Sequence, residues 1–355
     1  MRTIAGTLAG ALGIDTLLNE WPMLMTHDAA SGYLLSELDP VYLWTVTQPR
    51  DPKALSKQLQ CGARAFDLRP QVDGSGKLVF HHGSVKIEQD ADKALQEIVA
   101  FANTNPAEED LIIVHSSACS GTNCTGLMSE ALARAGIPAE EDCGVVSKLT
   151  VSEAAAKGKL AGGGHVLTVT DCVDENYDSK LACWGTDGTV DLSAASLAAT
   201  CAAAGVLLSE PPTLQELVAC GEALREPTQL ASAVAGSYYS CWTNSSTKEF
   251  PIQRLLDSLK GVSAKGPQNG RLWQLQSIWQ ETPESVVLGV AHFSSLLKDE
   301  EHSSINAMMK GLIDEGKTFE KINFFEVNNI CDGGPELLAS LRAHAARRAS
   351  QSVLV

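Results

Sequence analysis

No stretch of this sequence approaches the roughly 20 consecutive apolar residues that a membrane-crossing helix requires, so no span is expected from it. Cations are in short supply: 27 Lys and Arg stand against 43 Asp and Glu, a formal net charge of −16. The summed negative field repels nucleic-acid phosphates and strongly anionic lipid surfaces alike. Nucleic acid is therefore excluded as a partner, and contact with lipid must be local and largely apolar; the same acidity also serves plain solubility. No CxxC pair occurs and no Cys/His spacing suits zinc, so neither a structural metal nor a cofactor is expected. No internal repeat or low-complexity tract breaks the chain.

What is present begins with cysteine, in an even count of ten: Cys61, Cys119, Cys124, Cys143, Cys172, Cys183, Cys201, Cys220, Cys241 and Cys331. Most lie between Cys119 and Cys241 beside Gly-rich and polar stretches, the arrangement of loops stapled by disulfides in an oxidising compartment. Reduced, buried thiols are the alternative. Two glycosylation triplets, Asn123-Cys124-Thr125 and Asn244-Ser245-Ser246, point the same way. Met1-Arg2 followed by Ala9-Gly10-Ala11 has the grammar of a secretory leader but is short for one. An extracellular or lumenal location is expected.

Strand-like and helix-like runs alternate for most of the 355 residues, the pattern of an α/β fold with a parallel sheet. The strand candidates are residues 22–26, 63–68, 77–81, 111–115, 165–170, 271–278 and 322–328, with a weaker one at 205–209. About eight strands is what a TIM-type (β/α)8 barrel needs, whether regular or distorted. Helical stretches fall at 90–103, 125–135, 192–203, 213–223, 251–259, 303–315 and 335–348. We expect a single barrel domain over 1–355, with residues 171–267 as a Cys-rich elaboration of its second half, and a monomer. A separate domain for that segment is the competing view.

Side chains at the carboxyl ends of barrel strands meet at one mouth. The first strand ends Met25-Thr26-His27-Asp28, and the second reads Ala65-Phe66-Asp67-Leu68-Arg69. Strand alternation puts Asp67 and Arg69 on one face. In Leu78-Val79-Phe80-His81-His82, the same alternation lets only one histidine reach the mouth, and His82 is the candidate. A phosphodiester is cleaved when one group takes a proton from the attacking hydroxyl, another protonates the leaving oxygen, and a cation neutralises the phosphoryl oxygens. Two imidazoles and a guanidinium supply that set, since histidine's unperturbed pKa of about 6.5 suits both proton transfers and arginine's fork fits phosphate. Asp28 and Asp67 are placed to orient them.

Thr-His-Asp, then Gly-Ala-Arg-Ala-Phe-Asp-Leu-Arg, then His-His-Gly, in this order, resembles the X region of phosphatidylinositol-specific phospholipases C of the bacterial type. The resemblance is clearest from Trp21 to Val114 and includes Thr47-Gln48 and Asn105-Pro106. It implies a general base at His27, acting on the inositol 2-hydroxyl, and a general acid at His82, acting on the departing diacylglycerol oxygen. The products it implies are diacylglycerol and a cyclic inositol phosphate, and the partner it implies is a phospholipid or inositol-phosphate substrate met by peripheral membrane contact. It also implies no metal. The animal signalling relatives place a Glu-x-Asp pair where this chain has Asp67-Leu68-Arg69 and hold calcium there, whereas Arg69 takes the ion's electrostatic role here.

The chain departs from that family at the last strand, where an aspartate supports the base. Phe324-Phe325-Glu326-Val327-Asn328 offers Glu326 or Asn328 instead. The family's lysine on the fourth strand and arginine on the fifth are also missing, with His115 and Asp171 in those regions. His115, Asp171, Trp273, Glu326 and Asn328 are therefore the candidate substrate-binding residues, and burial explains Trp273 equally well. Tyr238, Tyr239 and Trp242 suggest an aromatic rim or packing around Cys241, while His165, His292, His302 and His344 are read as structural or solvent-facing. A different head group, sphingomyelin or a glycerophosphodiester, is the rival within catalysis. A barrel that binds lipid or carbohydrate without turnover is the rival outside it.

Overall fold

In chain order the strands are β1 Met23–Thr26, β2 Ala65–Leu68, β3 Pro70–Val72, β4 Leu78–His82, β5 Val85–Ile87, β6 Ile112–Ser116, β7 Ala139–Glu140, β8 Val166–Thr170, β9 Val173–Asp174, β10 Leu272–Gln276 and β11 Phe324–Val327. The computed structural model describes residues 13–34, 46–83, 85–174, 194–209, 212–224, 252–267, 270–279 and 295–352. Eight strands form one parallel sheet in the order β7, β8, β6, β2, β1, β11, β10, β9. β8 and β9 stand six places apart in that order, yet only Asp171 and Cys172 separate them in the chain. Laid flat, six spacings of about 4.8 Å would part them by roughly 29 Å, whereas three Cα steps span at most about 11 Å. The sheet therefore curls until its ends meet, and the expected barrel is the fold. Arg271 ties the closure, with its Nε 2.8 Å from Asp174 Oδ1 and its guanidinium donating to the Asp171 carbonyl.

Two expected barrel strands are not in the barrel. β4 pairs antiparallel with β3 and β5 in a separate three-stranded sheet. Residues 206–209 are irregular, with Leu207 83% exposed, so no strand forms there. The two-residue β7 and β9 complete the count of eight instead.

Alternation along the strands sorts the core into two parts. Met23, Met25, Ala65, Ile113, Leu167, Val169, Leu272 and Phe324 form one buried cluster with Leu18, Trp21 and Val151, filling the amino-terminal half of the barrel. Their neighbours Leu24, Phe66, Leu68, Ile112, Val114, Val166, Trp273, Leu275, Phe325 and Val327 face outward into a second cluster beneath the surrounding helices. The helix Ala91–Thr104 shows how that layer is made. Asp90 caps it by accepting from the Lys93 amide, and Ala91, Ala94, Leu95, Ile98 and Ala102 recur at helical spacing to bury one stripe. Each such aliphatic side chain contributes about 1.5–3 kcal/mol when fully buried. Among the described residues, no helix is long and apolar enough to cross a membrane.

The disulfides Cys61–Cys331, Cys119–Cys124, Cys143–Cys172 and Cys201–Cys220 replace the alternative of reduced thiols for these eight residues. Cys183 and Cys241 lie outside the described residues, as do Tyr238, Tyr239, Trp242, Asn244, His292 and the leader-like start. Cys61–Cys331 joins residues 270 apart, flanking β2 and β11 on either side of β1. A cross-link of that length removes much freedom from the unfolded chain. Replacing both cysteines by serine is expected to lower the unfolding free energy by about 2–5 kcal/mol. Denaturant midpoints measure this, and an unchanged midpoint would contradict it.

His165 is structural, as expected: its ring nitrogens lie 2.8 Å from the Ala155 carbonyl and 3.1 Å from the Pro106 carbonyl. His344 is buried on the helix Gly334–Ser352, and burial, with Arg347 and Arg348 nearby, pushes its imidazole down to about 4. The unfolded chain then binds this proton near pH 6.5 while the folded protein resists until about pH 4. Stability should therefore fall as pH drops through that window, and His344→Gln should flatten the slope. Thermal unfolding at half-unit pH steps tests it, and an identical slope in the variant would exclude His344 as the source.

Candidate active site

At the carboxyl ends of the same strands the inward positions turn polar. Register aligns Met25 with Ala65 and Glu326, Ala65 with Ile113, and Glu326 with Gln276. One inward step further along, Asp67 stands beside His115, while His27 and Asn328 meet across β1 and β11. A slip of one residue in any of these strands would turn the polar set outward.

Backbone contacts fix how each group arrives. The His27 amide donates to the Val327 carbonyl at 3.0 Å, extending the β1–β11 ladder by one bond. The His27 carbonyl accepts from Gln48 Nε2 at 2.9 Å and from Thr47 Oγ1 at 3.1 Å. Asp28 then turns into the left-handed region, φ 44° and ψ 51°, a conformation that costs a non-glycine residue on the order of 1 kcal/mol. Its amide donates to Asp67 Oδ2 at 3.2 Å. β2 cannot run on past Arg69, because Pro70 has no N–H for the ladder. The chain leaves the barrel there as β3, and β4 returns to bring His82 over the mouth. His81 points the other way, its ring nitrogens 3.0 Å from the Gly83 carbonyl and 2.9 Å from the Ala118 carbonyl.

The groups converge on the carboxylate of Asp28. Its Oδ2 lies 2.8 Å from His82 Nε2 and 3.3 Å from His27 Nε2, and its Oδ1 lies 2.7 Å from an Arg69 terminal nitrogen. The two imidazole rings are 6.3 Å apart between centroids and inclined at 79°. Arg69 forks onto Asp67 Oδ2, with its Nε at 3.0 Å and a terminal nitrogen at 2.8 Å. Ser117 Oγ donates to Asp67 Oδ1 at 3.0 Å.

Burial alone would raise the Asp28 carboxyl, but Arg69, His82 and His27 outweigh it and hold the group well below the ordinary carboxylate range. Asp67 is lowered too, with Arg69 prevailing over burial and over the repulsion from Asp28. The guanidinium, despite burial, is held more firmly protonated by Asp28 and Asp67. His115 is buried and shifted down, mainly by that burial.

His27, Asp28 and Asp67 offer donor atoms within 4.8 Å of one another, a set that would suit a cation. The nitrogens of Arg69 lie on both carboxylates at 2.7 and 2.8 Å, so the cation this set faces is a guanidinium from the chain itself.

At the end of β11, Asn328, one residue past the strand, and not Glu326 reaches His27: Asn328 Oδ1 lies 2.9 Å from His27 Nδ1. Asn328 Nδ2 donates to the Trp279 carbonyl at 2.9 Å, and a carbonyl only accepts. The amide orientation is thereby fixed, its oxygen faces His27, and His27 carries its proton on Nδ1 with Nε2 turned to the Asp28 side. Glu326 is buried deeper, accepting from Gln274 Nε2 at 3.3 Å, and it adds to the field that holds Arg69 charged. Gln276 donates onward to Gln274 at 3.3 Å.

One expected binding residue is placed differently. Trp273 faces outward from the barrel, fully buried, its indole donating to the Asn19 carbonyl at 2.8 Å. It cannot line the mouth, because Gln274 holds the inward position next to it. Asp171 lies in the β8–β9 bend with φ 51° and is exposed. Its charge acts on His115, favouring the protonated imidazole against the burial that lowers it. Sequence reasoning missed Ser117, which lies one residue past β6, and Glu300, whose Oε1 accepts from the Trp279 amide and from Asn328 Nδ2, each at 2.9 Å.

No family model and no curated protein sequence matches this chain. Among solved structures, it is similar to a phosphatidylinositol-specific phospholipase C of Staphylococcus aureus, at 14% identity and a TM-score of 0.49, covering 93% of this chain and 95% of that one. It is similar also to a phosphatidylinositol-specific phospholipase C from Listeria monocytogenes, at 11% identity and a TM-score of 0.48, covering 95% and 97%.

Proposed function

We propose that this chain is a metal-independent phosphodiesterase of the phosphatidylinositol-specific phospholipase C type. The observation that carries the reading is the convergence of His27, His82 and Arg69 on Asp28 at the carboxyl end of the barrel. His27 Nε2 takes the proton from the inositol 2-hydroxyl, whose oxygen attacks phosphorus. The bond from phosphorus to the diacylglycerol oxygen breaks as His82 protonates that oxygen. Three of the five N–H groups of Arg69 lie against Asp67 and Asp28, which leaves two for the phosphoryl oxygens. Its side chain keeps 24% of its surface exposed, enough for substrate to reach it.

The whole chain acts as one barrel domain, with 171–267 as its elaboration. The four disulfides favour an extracellular or lumenal protein that meets lipid peripherally. β6, next to β2, brings His115 beside Asp67, and neither β6 nor β8 carries a lysine or arginine, which favours a second reading in which the head group is not inositol. A substrate without a neighbouring hydroxyl would be attacked by water.

Turnover of phosphatidylinositol, sphingomyelin, lysophosphatidylcholine and glycerophosphodiesters, each in chelator, decides between these. Phosphorus NMR should show a cyclic inositol phosphate from phosphatidylinositol. Cleavage of another head group alone would favour the second reading. Binding to lipid vesicles with no cleavage of any substrate would reduce the chain to a binding barrel.

A further inference from the structure

Behind the amide that faces the proposed base stands another buried carboxylate. Glu300 lies on the helix Leu296–Ser303 and is fully buried. Its Oε1 accepts two hydrogen bonds, from the Trp279 amide and from Asn328 Nδ2. The Trp279 indole donates to Ser303 Oγ at 2.8 Å on the same helix, and Ser303 Oγ donates to the Glu300 carbonyl at 2.9 Å. Trp279 and Asn328 are thus fastened to one turn of helix, with Glu300 at its centre.

We propose that Glu300 is a positioning residue for His27, acting through Asn328 as a carboxylate, amide and imidazole relay. The inference rests on reading His27 as the base. Two physical facts carry it. An amide against an imidazole can fix the tautomer but stabilises the protonated ring less than a carboxylate does, so Asn328 alone leaves His27 a weak acceptor. A carboxylate accepting from the far side of the same amide polarises it, making its oxygen more negative where it faces His27 Nδ1. Such a charge is strongly disfavoured in an apolar interior unless it is hydrogen-bonded, and Oε1 is bonded twice.

The relay predicts an effect on His27 that packing alone does not. In Glu300→Gln, side-chain volume and both acceptor bonds can be kept while the charge is lost. The imidazolium of His27, followed by NMR with labelled histidine, should then titrate about one pKa unit lower, a roughly tenfold shift in its proton equilibrium. The double variant Glu300→Gln with Asn328→Asp moves the charge one group inward and should restore or raise that titration. This double variant also serves where the single one folds poorly.

An unchanged titration in Glu300→Gln, or no recovery in the double variant, would overturn the relay. The readout needs no turnover: a chain that cleaves no phosphodiester but shows both shifts keeps the relay and loses the proposed function. A chain that cleaves phosphatidylinositol with an unshifted His27 does the reverse.

Discussion

His27→Ala is expected to lower kcat/KM for phosphodiester cleavage by about 10²–10⁴-fold, the contribution of a positioned general acid or base. The loss should fall on kcat, with KM little changed, because the imidazole meets a proton that moves only in the transition state. His82→Ala should lose activity in the same range. The two rings face one carboxylate, with Asp28 Oδ2 within 2.8 and 3.3 Å of their Nε2 atoms. Groups that work as a unit are not additive, so the double variant should fall little below the worse single one. Losses that multiply would instead mean two independent roles, and activity retained in either single variant would remove the proposed chemistry. Vesicle binding, measured alongside, should stay near the level of the unaltered protein.

Arg69→Ala should have a larger combined effect, because the side chain serves both the site and the fold. Removing one partner of a buried ion pair typically costs about 3–5 kcal/mol, since the other charge is left uncompensated. Here two carboxylates are left, Asp28 and Asp67, both nearly inaccessible to water. Loss of a donor aimed at developing charge lowers kcat further, by about 10²–10³-fold.

The pH dependence of stability should change sign with this substitution. In the unaltered protein both carboxyls sit below their ordinary value, so they add stability above about pH 4 that is lost as pH falls further. Without Arg69, burial and the charge of Asp28 dominate at Asp67 and raise it above the unfolded value, while His82 and His27 still oppose burial at Asp28. Stability of the variant should then increase as pH falls from neutrality toward about pH 4. Chemical denaturation at pH 7 and pH 4.5 distinguishes the two slopes. Arg69→Lys keeps the charge without the fork that spans both acids, and should recover stability more than activity. Full activity of Arg69→Ala in chelator would refute the proposed role of the guanidinium.

Much of this architecture is written locally in the sequence, because strand alternation is a local property. Ala65, Asp67 and Arg69 could be assigned to one face, and His82 separated from His81, without knowing any partner strand. The barrel order and the placement of β4 are different, since both depend on pairing. Leu78-Val79-Phe80-His81-His82 alternates like any barrel strand, and only its short link to the preceding strand marks it otherwise. Asp73 to Lys77 is too short for a parallel crossover, which needs a dozen residues or more.

The helix Val151–Lys157 carried a readable sign in the Thr150-x-x-Glu153 capping box, and its brevity hid it. The outward position of Trp273 follows from the same alternation that turns Gln274 inward. Glu300 had no such sign. Its place behind Asn328 is made by the packing of a helix onto the end of β10, a contact between residues 28 apart in the chain.

The bond between Cys61 and Cys331 has one more consequence. It turns the intervening polypeptide into a covalent loop that holds β2, the three-stranded β3–β5 sheet, β6 and β11, with β1 outside it. A protease that cuts once inside that loop opens it without releasing a fragment. The nicked molecule keeps its full mass until a reductant is added, and the proposed base and acid, one outside the loop and one within, remain on a single connected molecule.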